Sequence, residues 1–119
     1  MSAPRAVSES YCAAECRRDI DCVMAHYQPD ASYEDAGGLR VGAAAIRQAY
    51  EESARAYPGL EVRIVREFTH DAECGALEVE AVLIDPAGTR FRVRGVNVVT
   101  LRDGKFATVR SYEDAPTPE

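Results

Sequence analysis

Residues 90–112 read RFRVRGVNVVTLRDGKFATVRSY, and this stretch decides the fold because it predicts a β-hairpin. Two runs of β-forming residues, 90–102 and 105–112, are separated by the turn signal Asp103–Gly104. Side chains of a strand alternate between its two faces. One face of the first run carries Phe91, Val93, Gly95, Asn97, Val99 and Leu101. The amide of Asn97 is therefore expected on an otherwise apolar, inward face.

Upstream of this hairpin, residues 60–70 and 76–85 predict two more strands of a meander. Helices are predicted over 7–18, from the cap residue Asp19 to about Tyr27, and over 43–57, with a short strand at 30–35. Helices first and strands later are typical of an α+β fold. We therefore expect one domain over 1–119, an N-terminal helical layer on a curved, largely antiparallel sheet, with 1–6 and 115–119 frayed.

Composition excludes several classes of function. The chain has 119 residues, and a domain of this length buries about two thirds of the surface of its unfolded chain. Its formal net charge of −6 at pH 7 argues against nucleic acid and anionic membranes as partners. The apolar runs are too short to span a membrane, and the N-terminus lacks the apolar core of a signal peptide. A cytoplasmic location is the expectation.

Metal and redox chemistry are not favoured either. The four cysteines, Cys12, Cys16, Cys22 and Cys74, show no CxxC spacing, and a paired histidine motif is lacking. They are interpreted as small buried side chains. His26 and His70 have no third group with which to form a catalytic triad. Neither a metal nor an organic cofactor is predicted.

The residue with the strongest chemical signal is Asp35, which ends the short run Ala31-Ser32-Tyr33-Glu34-Asp35 before a glycine turn. Taken singly, each polar candidate has an ordinary structural explanation. A buried asparagine such as Asn97 is usually bonded to backbone or water, and a tyrosine is usually a core aromatic with a satisfied hydroxyl. The candidates become informative only as a set.

As a set they resemble the ketosteroid isomerases, small enzymes of the cone-shaped fold shared with nuclear transport factor 2. The resemblance runs over about 8–114, without a gap from Tyr11-Cys12-Ala13-Ala14 to Asp35, and includes Ala45-Ile46-Arg47-Gln48-Ala49-Tyr50 and Gly95-Val96-Asn97-Val98-Val99. It implies that Asp35 is the general base and Tyr11 an oxyanion donor, with Tyr27 and Tyr50 supporting Tyr11. Asn97 falls where the family carries a protonated aspartic acid, its second oxyanion donor.

Two departures from the family pattern stand out. The chain between Asp35 and Gly42 is about two residues shorter, so the loop after the base is rebuilt with Gly37 and Gly38. Glu113 replaces an aromatic residue expected near the base, which indicates a more polar substrate or a perturbed base. The wall of the pocket is expected to include Glu113, Val93, Val99 and Leu77.

The leading hypothesis is an isomerase that moves a C=C bond into conjugation with a ketone, of the 3-oxo-Δ5-steroid type. One alternative is a polyketide cyclase of the same fold that closes a ring by an aldol reaction, which Glu113 and the rebuilt loop favour. The other is a non-catalytic binding module, for which Asp35 would be exposed or salt-bridged and the cone filled by side chains. The expected partners are a hydrophobic ketone, steroid or polyketide, and a second copy in a homodimer.

Overall fold

The computed structural model describes residues 2–119. In this range three helices and seven strands follow in the order α1 (Ala3–Cys16), α2 (Ile20–Met24), β1 (Tyr27–Asp35), β2 (Gly38–Val41), α3 (Ala43–Ala56), β3 (Gly59–Asp71), β4 (Cys74–Ile84), β5 (Arg90–Arg102), β6 (Lys105–Glu113) and β7 (Thr117–Pro118). The predicted α+β class is confirmed.

The strands form one mixed sheet with the order β2-β1-β6-β5-β4-β3, and β7 pairs with β5 outside this path. β1 and β6 run parallel, while the remaining neighbours are antiparallel. Helix α1 packs on β3, β4 and β5, and α3 packs on β1 and β2. The helices thus cover one face of the open, curved sheet.

The N-terminal helix begins earlier than predicted, at Ala3 instead of Val7. Ser2 caps it by accepting the Arg5 N–H at 3.2 Å. Pro4 lies in the first turn, where its missing N–H costs no hydrogen bond. The fraying expected over 1–6 is therefore replaced by helix from Ala3 onward, and Met1 lies outside the described residues.

The C-terminal segment also differs from the expectation of fraying over 115–119. Strand β7 pairs with Phe91 and Arg92 of β5, and Arg90 forms an ion pair with Glu119 at 3.0 Å. The basic start of β5 thus supplies a charge partner for the acidic end of the chain.

The second helix is shorter than predicted, because α2 ends at Met24 and Tyr27 already begins β1. Pro29, expected to stop a helix, instead lies within β1. The pairing of β1 with β6 shifts register between Tyr27 and Ser32, and such an irregularity tolerates a residue without an N–H. The short strand β2 was not predicted.

The inward face of β5 is confirmed by burial, since Val93, Val99 and Leu101 are buried. The largest fully enclosed side chains of the described residues are Phe106, Ile46, Leu77, Val23, Val99 and Pro4. The strand register places Phe68 and Tyr112 on the outer face of the sheet, opposite the helices, where they are 57% and 58% exposed. That a second copy covers this face stays a prediction.

Candidate active site

A cavity of about 430 Å³ lies between the helices and the inner face of the sheet. Six of the nine predicted site residues line it, namely Asp35, Tyr11, Asn97, Tyr50, Glu113 and Val93. The other three, Tyr27, Leu77 and Val99, pack in the hydrophobic core, and Tyr27 is hydrogen-bonded to Tyr50. The structure therefore brings together the polar candidates, while it moves two of the apolar ones from the pocket wall into the core.

Asp35 is held by the hairpin of β1 and β2, in which it pairs with Gly38. Its Oδ1 accepts the Gly37 N–H and an N–H of Arg40 Nη1, each at 2.8 Å. Its Oδ2 has no hydrogen-bond partner among residues 2–119. The carboxylate is thus fixed in orientation by one oxygen and keeps the other oxygen free to accept a proton.

Gly37 leaves room for this arrangement. A Cβ at position 37 would lie 3.0 Å from Arg40 Nη2 and 3.1 Å from Asp35 Oδ1. Gly38 has φ +122°, a conformation that side chains rarely adopt. The glycines that rebuild the shortened loop therefore allow Arg40 to reach Asp35, and the Arg40 guanidinium also lies 5.7 Å from the centre of the Tyr33 ring.

Three tyrosine hydroxyls form a continuous chain of hydrogen bonds. Tyr27 and Tyr50 are joined at 2.6 Å, Tyr50 and Tyr11 at 2.5 Å, and Tyr11 donates to Glu15 Oε2 at 2.7 Å. Tyr50 thus contacts the Tyr11 hydroxyl directly, and Tyr27 is linked to it through Tyr50. Burial raises the pKa of Tyr11 well above its ordinary value, and the Glu15 charge raises it further, so this hydroxyl keeps its proton.

Glu15 is the functional candidate that the sequence analysis missed. It lies one turn after Tyr11 on the same face of α1 and lines the cavity. Burial raises the pKa of its carboxyl, and the Glu113 charge adds to this, while the Tyr11 hydrogen bond and Arg18 oppose it. A search for acids at i+4 from the predicted catalytic tyrosine would have found it.

Arg18 also lines the cavity. Its backbone has φ 54°, in the left-handed region, immediately after α1. Its guanidinium donates to the Tyr57 carbonyl at 2.7 Å, which ties the end of α1 to the end of α3. Arg18 is therefore held beside Glu15 by backbone contacts and forms no ion pair with it among the described residues.

Asn97 and Glu113 lie on neighbouring strands of the sheet wall. Asn97 pairs in register with Ser111, and its side chain has no hydrogen-bond partner among residues 2–119. Glu113 accepts the Ser111 hydroxyl at 3.0 Å and pairs with Gly95, where a Cβ would lie 3.0 Å from Glu113 Cγ. The amide donors of Asn97 are thus free to meet a ligand.

Cys12 also lines the cavity, and burial raises the pKa of its thiol to about 12, so it stays neutral. The cysteines at 12, 16, 22 and 74 are free. Within residues 2–119 the acidic, histidine and cysteine side chains form no group of three or more suited to a metal ion. The polar chemistry of the cavity therefore depends on carboxyl, hydroxyl, amide and guanidinium groups.

The raised pKa of Glu15 predicts a pH-dependent gain in stability for Glu15→Gln. The folded protein binds this proton more tightly than the unfolded chain, whose Glu pKa is about 4.3. The stability supplied by the protonated group is complete below that value and is lost as pH rises through the raised folded pKa. Thermal unfolding from pH 4 to 8 should show the variant gaining on wild type as pH rises. A constant difference would contradict a raised pKa, and exposed Glu51→Gln is the control.

Residues 8–109 match the SnoaL-like domain, and the protein belongs to this family. Among solved structures it is similar to a LEH-like epoxide hydrolase from M. tuberculosis (25% identity, 91% of this chain and 80% of that chain, TM-score 0.77). No curated protein sequence matches the chain significantly.

Two further structures are similar at lower identity. One is the Δ5-3-ketosteroid isomerase from Mycobacterium sp. (21% identity, 94% of this chain and 93% of that chain, TM-score 0.83). The other is TerC co-crystallized with polyporic acid (21% identity, 95% and 92%, TM-score 0.81). At this identity both likenesses are of fold alone.

Within residues 2–119, none of the helices is long and apolar enough to cross a membrane.

Proposed function

We propose that the protein is an isomerase that shifts a C=C bond into conjugation with the ketone of an apolar cyclic substrate, of the steroid Δ5-3-ketone type. The observation that carries this proposal is a fixed carboxylate, Asp35, whose free Oδ2 shares a cavity with an unpartnered amide, Asn97. A carboxylate base and an oxyanion donor are the two groups that enolisation needs.

The reaction consists of two proton transfers. Asp35 Oδ2 takes the proton from the carbon between the ketone and the double bond, and the C–H electron pair spreads into a dienolate. The negative charge collects on the ketone oxygen, which Asn97 and the α1 wall carrying Tyr11 would hold away from water. Asp35 then returns the proton to the far end of the dienolate. The carbonyl of the substrate is the electron sink, so the scheme needs no cofactor.

The cavity supports an apolar substrate. Its volume of about 430 Å³ is within the usual range for small-molecule sites. Its walls on β3, β4 and β5 are aliphatic, and the lining there includes Leu60, Val62, Val79, Ala81, Leu83 and Val93. The similar fold of the mycobacterial ketosteroid isomerase supports a steroid as the first substrate to test.

The test is direct. Purified protein mixed with 5-androstene-3,17-dione should give a rise in conjugated-enone absorbance above the rate in buffer alone. Absence of this rise, with protein whose fold is verified by circular dichroism, would contradict the isomerase proposal.

A second candidate is a cyclase that uses the same base to form an enolate for an intramolecular aldol reaction. Glu113 favours it, because a carboxyl bonded to Ser111 in the cavity wall suits a hydroxyl-bearing substrate better than a steroid. The similarity to TerC, crystallised with polyporic acid, supports an oxygenated aromatic ligand. Glu113→Gln should then weaken binding of polyporic acid, whereas a steroid isomerase should keep most of its rate.

A non-catalytic module is the candidate from another class. One of its two expectations agrees with the structure, since Asp35 is paired with Arg40. The other does not, because side chains leave a cavity of about 430 Å³ instead of filling the cone. Ketone binding without any proton transfer would favour this candidate over both enzymes.

A further inference from the structure

Glu15 lines the cavity at the end of the tyrosine chain. Its Oε2 accepts the Tyr11 hydroxyl, and its Oε1 has no hydrogen-bond partner among residues 2–119. Within that range, no buried side-chain oxygen or nitrogen lacks a partner. Oε1 is therefore not sealed inside the protein, and since Glu15 lines the cavity, this oxygen is available to a bound ligand.

The protons of the tyrosine chain are fully used inside the protein. Tyr27, Tyr50 and Tyr11 have one hydroxyl proton each, and they make the three contacts Tyr27–Tyr50, Tyr50–Tyr11 and Tyr11–Glu15. Because Tyr11 donates to Glu15, Tyr50 must donate to Tyr11 and Tyr27 to Tyr50. While Tyr11 donates to Glu15 Oε2 and the Glu15 proton is on Oε1, none of the three tyrosine protons remains for a ketone oxygen. The hydroxyl chain instead ends on Glu15.

We infer that Glu15, as a carboxylic acid, is a catalytic residue that donates its Oε1 proton in a hydrogen bond to the ketone oxygen of the substrate, with Tyr11 as its positioning residue. This inference rests on the proposed function and identifies the donor on the α1 wall. Asp35 and Glu15 then have different roles in one cavity, as base and as hydrogen-bond donor.

The proton balance is simple. Asp35 Oδ2 removes the carbon-bound proton and later returns it, while the Glu15 proton stays on Oε1 and strengthens its hydrogen bond as charge develops on the ketone oxygen. Tyr11 continues to donate to Oε2, which fixes the carboxyl plane. No proton is lost from Glu15 in the cycle, and no co-reactant is needed.

The surroundings of Glu15 favour the acid form. The titratable and charged groups that act on it, besides Tyr11, are Cys12 and Arg18 on α1, Tyr27 and Tyr33 on β1, Tyr50 on α3 and Glu113 on β6. Of these, only Arg18 is a cation. Burial raises the pKa of the carboxyl, so the donor form extends to higher pH than for an exposed glutamate. Activity should fall as pH rises through this pKa, because an ionised Glu15 has no proton to donate.

The test uses 4-androstene-3,17-dione bound to the full chain and labelled with ¹³C at C3, the conjugated carbonyl carbon. In wild type, the bound carbonyl resonance should lie downfield at low pH and move upfield as Glu15 ionises. In Glu15→Gln, which keeps an N–H donor, the shift should not depend on pH. In Glu15→Leu it should lie upfield at all pH values. Glu51→Gln, an exposed acid-to-amide change on α3, should behave as wild type.

The outcomes separate this inference from the proposed function. A bound ketone with the same pH-dependent shift in wild type and both Glu15 variants would overturn the role of Glu15 and leave Asp35 chemistry intact. Steroid isomerisation that keeps its high-pH fall in Glu15→Gln would also overturn it. A folded protein that binds no ketone would instead contradict the proposed function itself. A Glu15 carboxyl ionised wherever ketone binds, seen in its own ¹³C titration, would exclude it as donor.

Discussion

Asp35→Asn is expected to lower the rate of ketone isomerisation by about 10²–10⁴-fold, the usual contribution of a positioned general base. The amide has nearly the shape of the carboxylate and its oxygen can still accept from Gly37 and Arg40, so the hairpin should persist. It cannot take a carbon-bound proton. The measurement is kcat with 5-androstene-3,17-dione, accompanied by circular dichroism to verify the fold.

Glu34→Gln is the matched control for this experiment. Glu34 precedes Asp35 on β1, points to the other face of the strand, and forms an ion pair with Arg110 at 3.1 Å. Loss of the Glu34–Arg110 ion pair should change kcat less than about twofold, because exposed ion pairs contribute little. An Asp35→Asn rate equal to that of wild type would remove Asp35 from the mechanism.

Phe106→Ala is expected to lower the free energy of unfolding by about 3–5 kcal/mol, as large-to-small changes of buried aromatic residues do. Phe106 is 1% exposed, and its ring centre lies 5.3 Å from those of both Tyr11 and Tyr27. Loss of the Phe106 ring would also remove a packing contact from the rings of Tyr11 and Tyr27. Urea unfolding followed by linear extrapolation gives the stability.

Phe68→Ala provides the control for the loss of an aromatic ring, since Phe68 is 57% exposed on the outer face. A surface change of this kind should cost about 0.5 kcal/mol or less. If Phe106→Ala itself cost no more than about 0.5 kcal/mol, the core assignment of Phe106 would be contradicted.

The inner wall of the site could be predicted because strand alternation is a local property. The pattern of β5 places Asn97 on the same face as Val93 and Val99, and the structure has this face turned inward. The resemblance then gave Asp35 and Tyr11 a common cavity. Periodicity cannot say how deep a side chain lies, however, and Val99 and Leu77 pack in the core instead of lining the cavity.

The contacts of Asp35 depend on a strand that the sequence pattern did not indicate. The strand β2 has only four residues, most of them exposed, so no alternation of apolar and polar residues marks it. Its pairing with β1 brings Arg40 to Asp35, five positions along the chain. An ion pair of this kind is visible only once the register of the hairpin is known.

Glu15 was missed for a different reason. In sequence it is one acid among twenty acidic residues, near the end of a helix. Its meaning comes from its hydrogen bond with the Tyr11 hydroxyl and from its place in the cavity wall, and the second of these is a tertiary property. The spacing from Tyr11 allows the contact, but only the fold turns it toward a cavity.

The central claim is that Asp35 Oδ2 removes a proton from carbon in a ketone bound in the cavity, and deuterium exchange tests it most directly. Protein incubated with 4-androstene-3,17-dione in buffered D₂O should place deuterium at C4 and C6, the two carbons between which the proton moves, faster than buffer alone, as followed by NMR. The same incubation with Asp35→Asn should give the buffer rate. Exchange that is faster than buffer but equal in wild type and Asp35→Asn would contradict the claim.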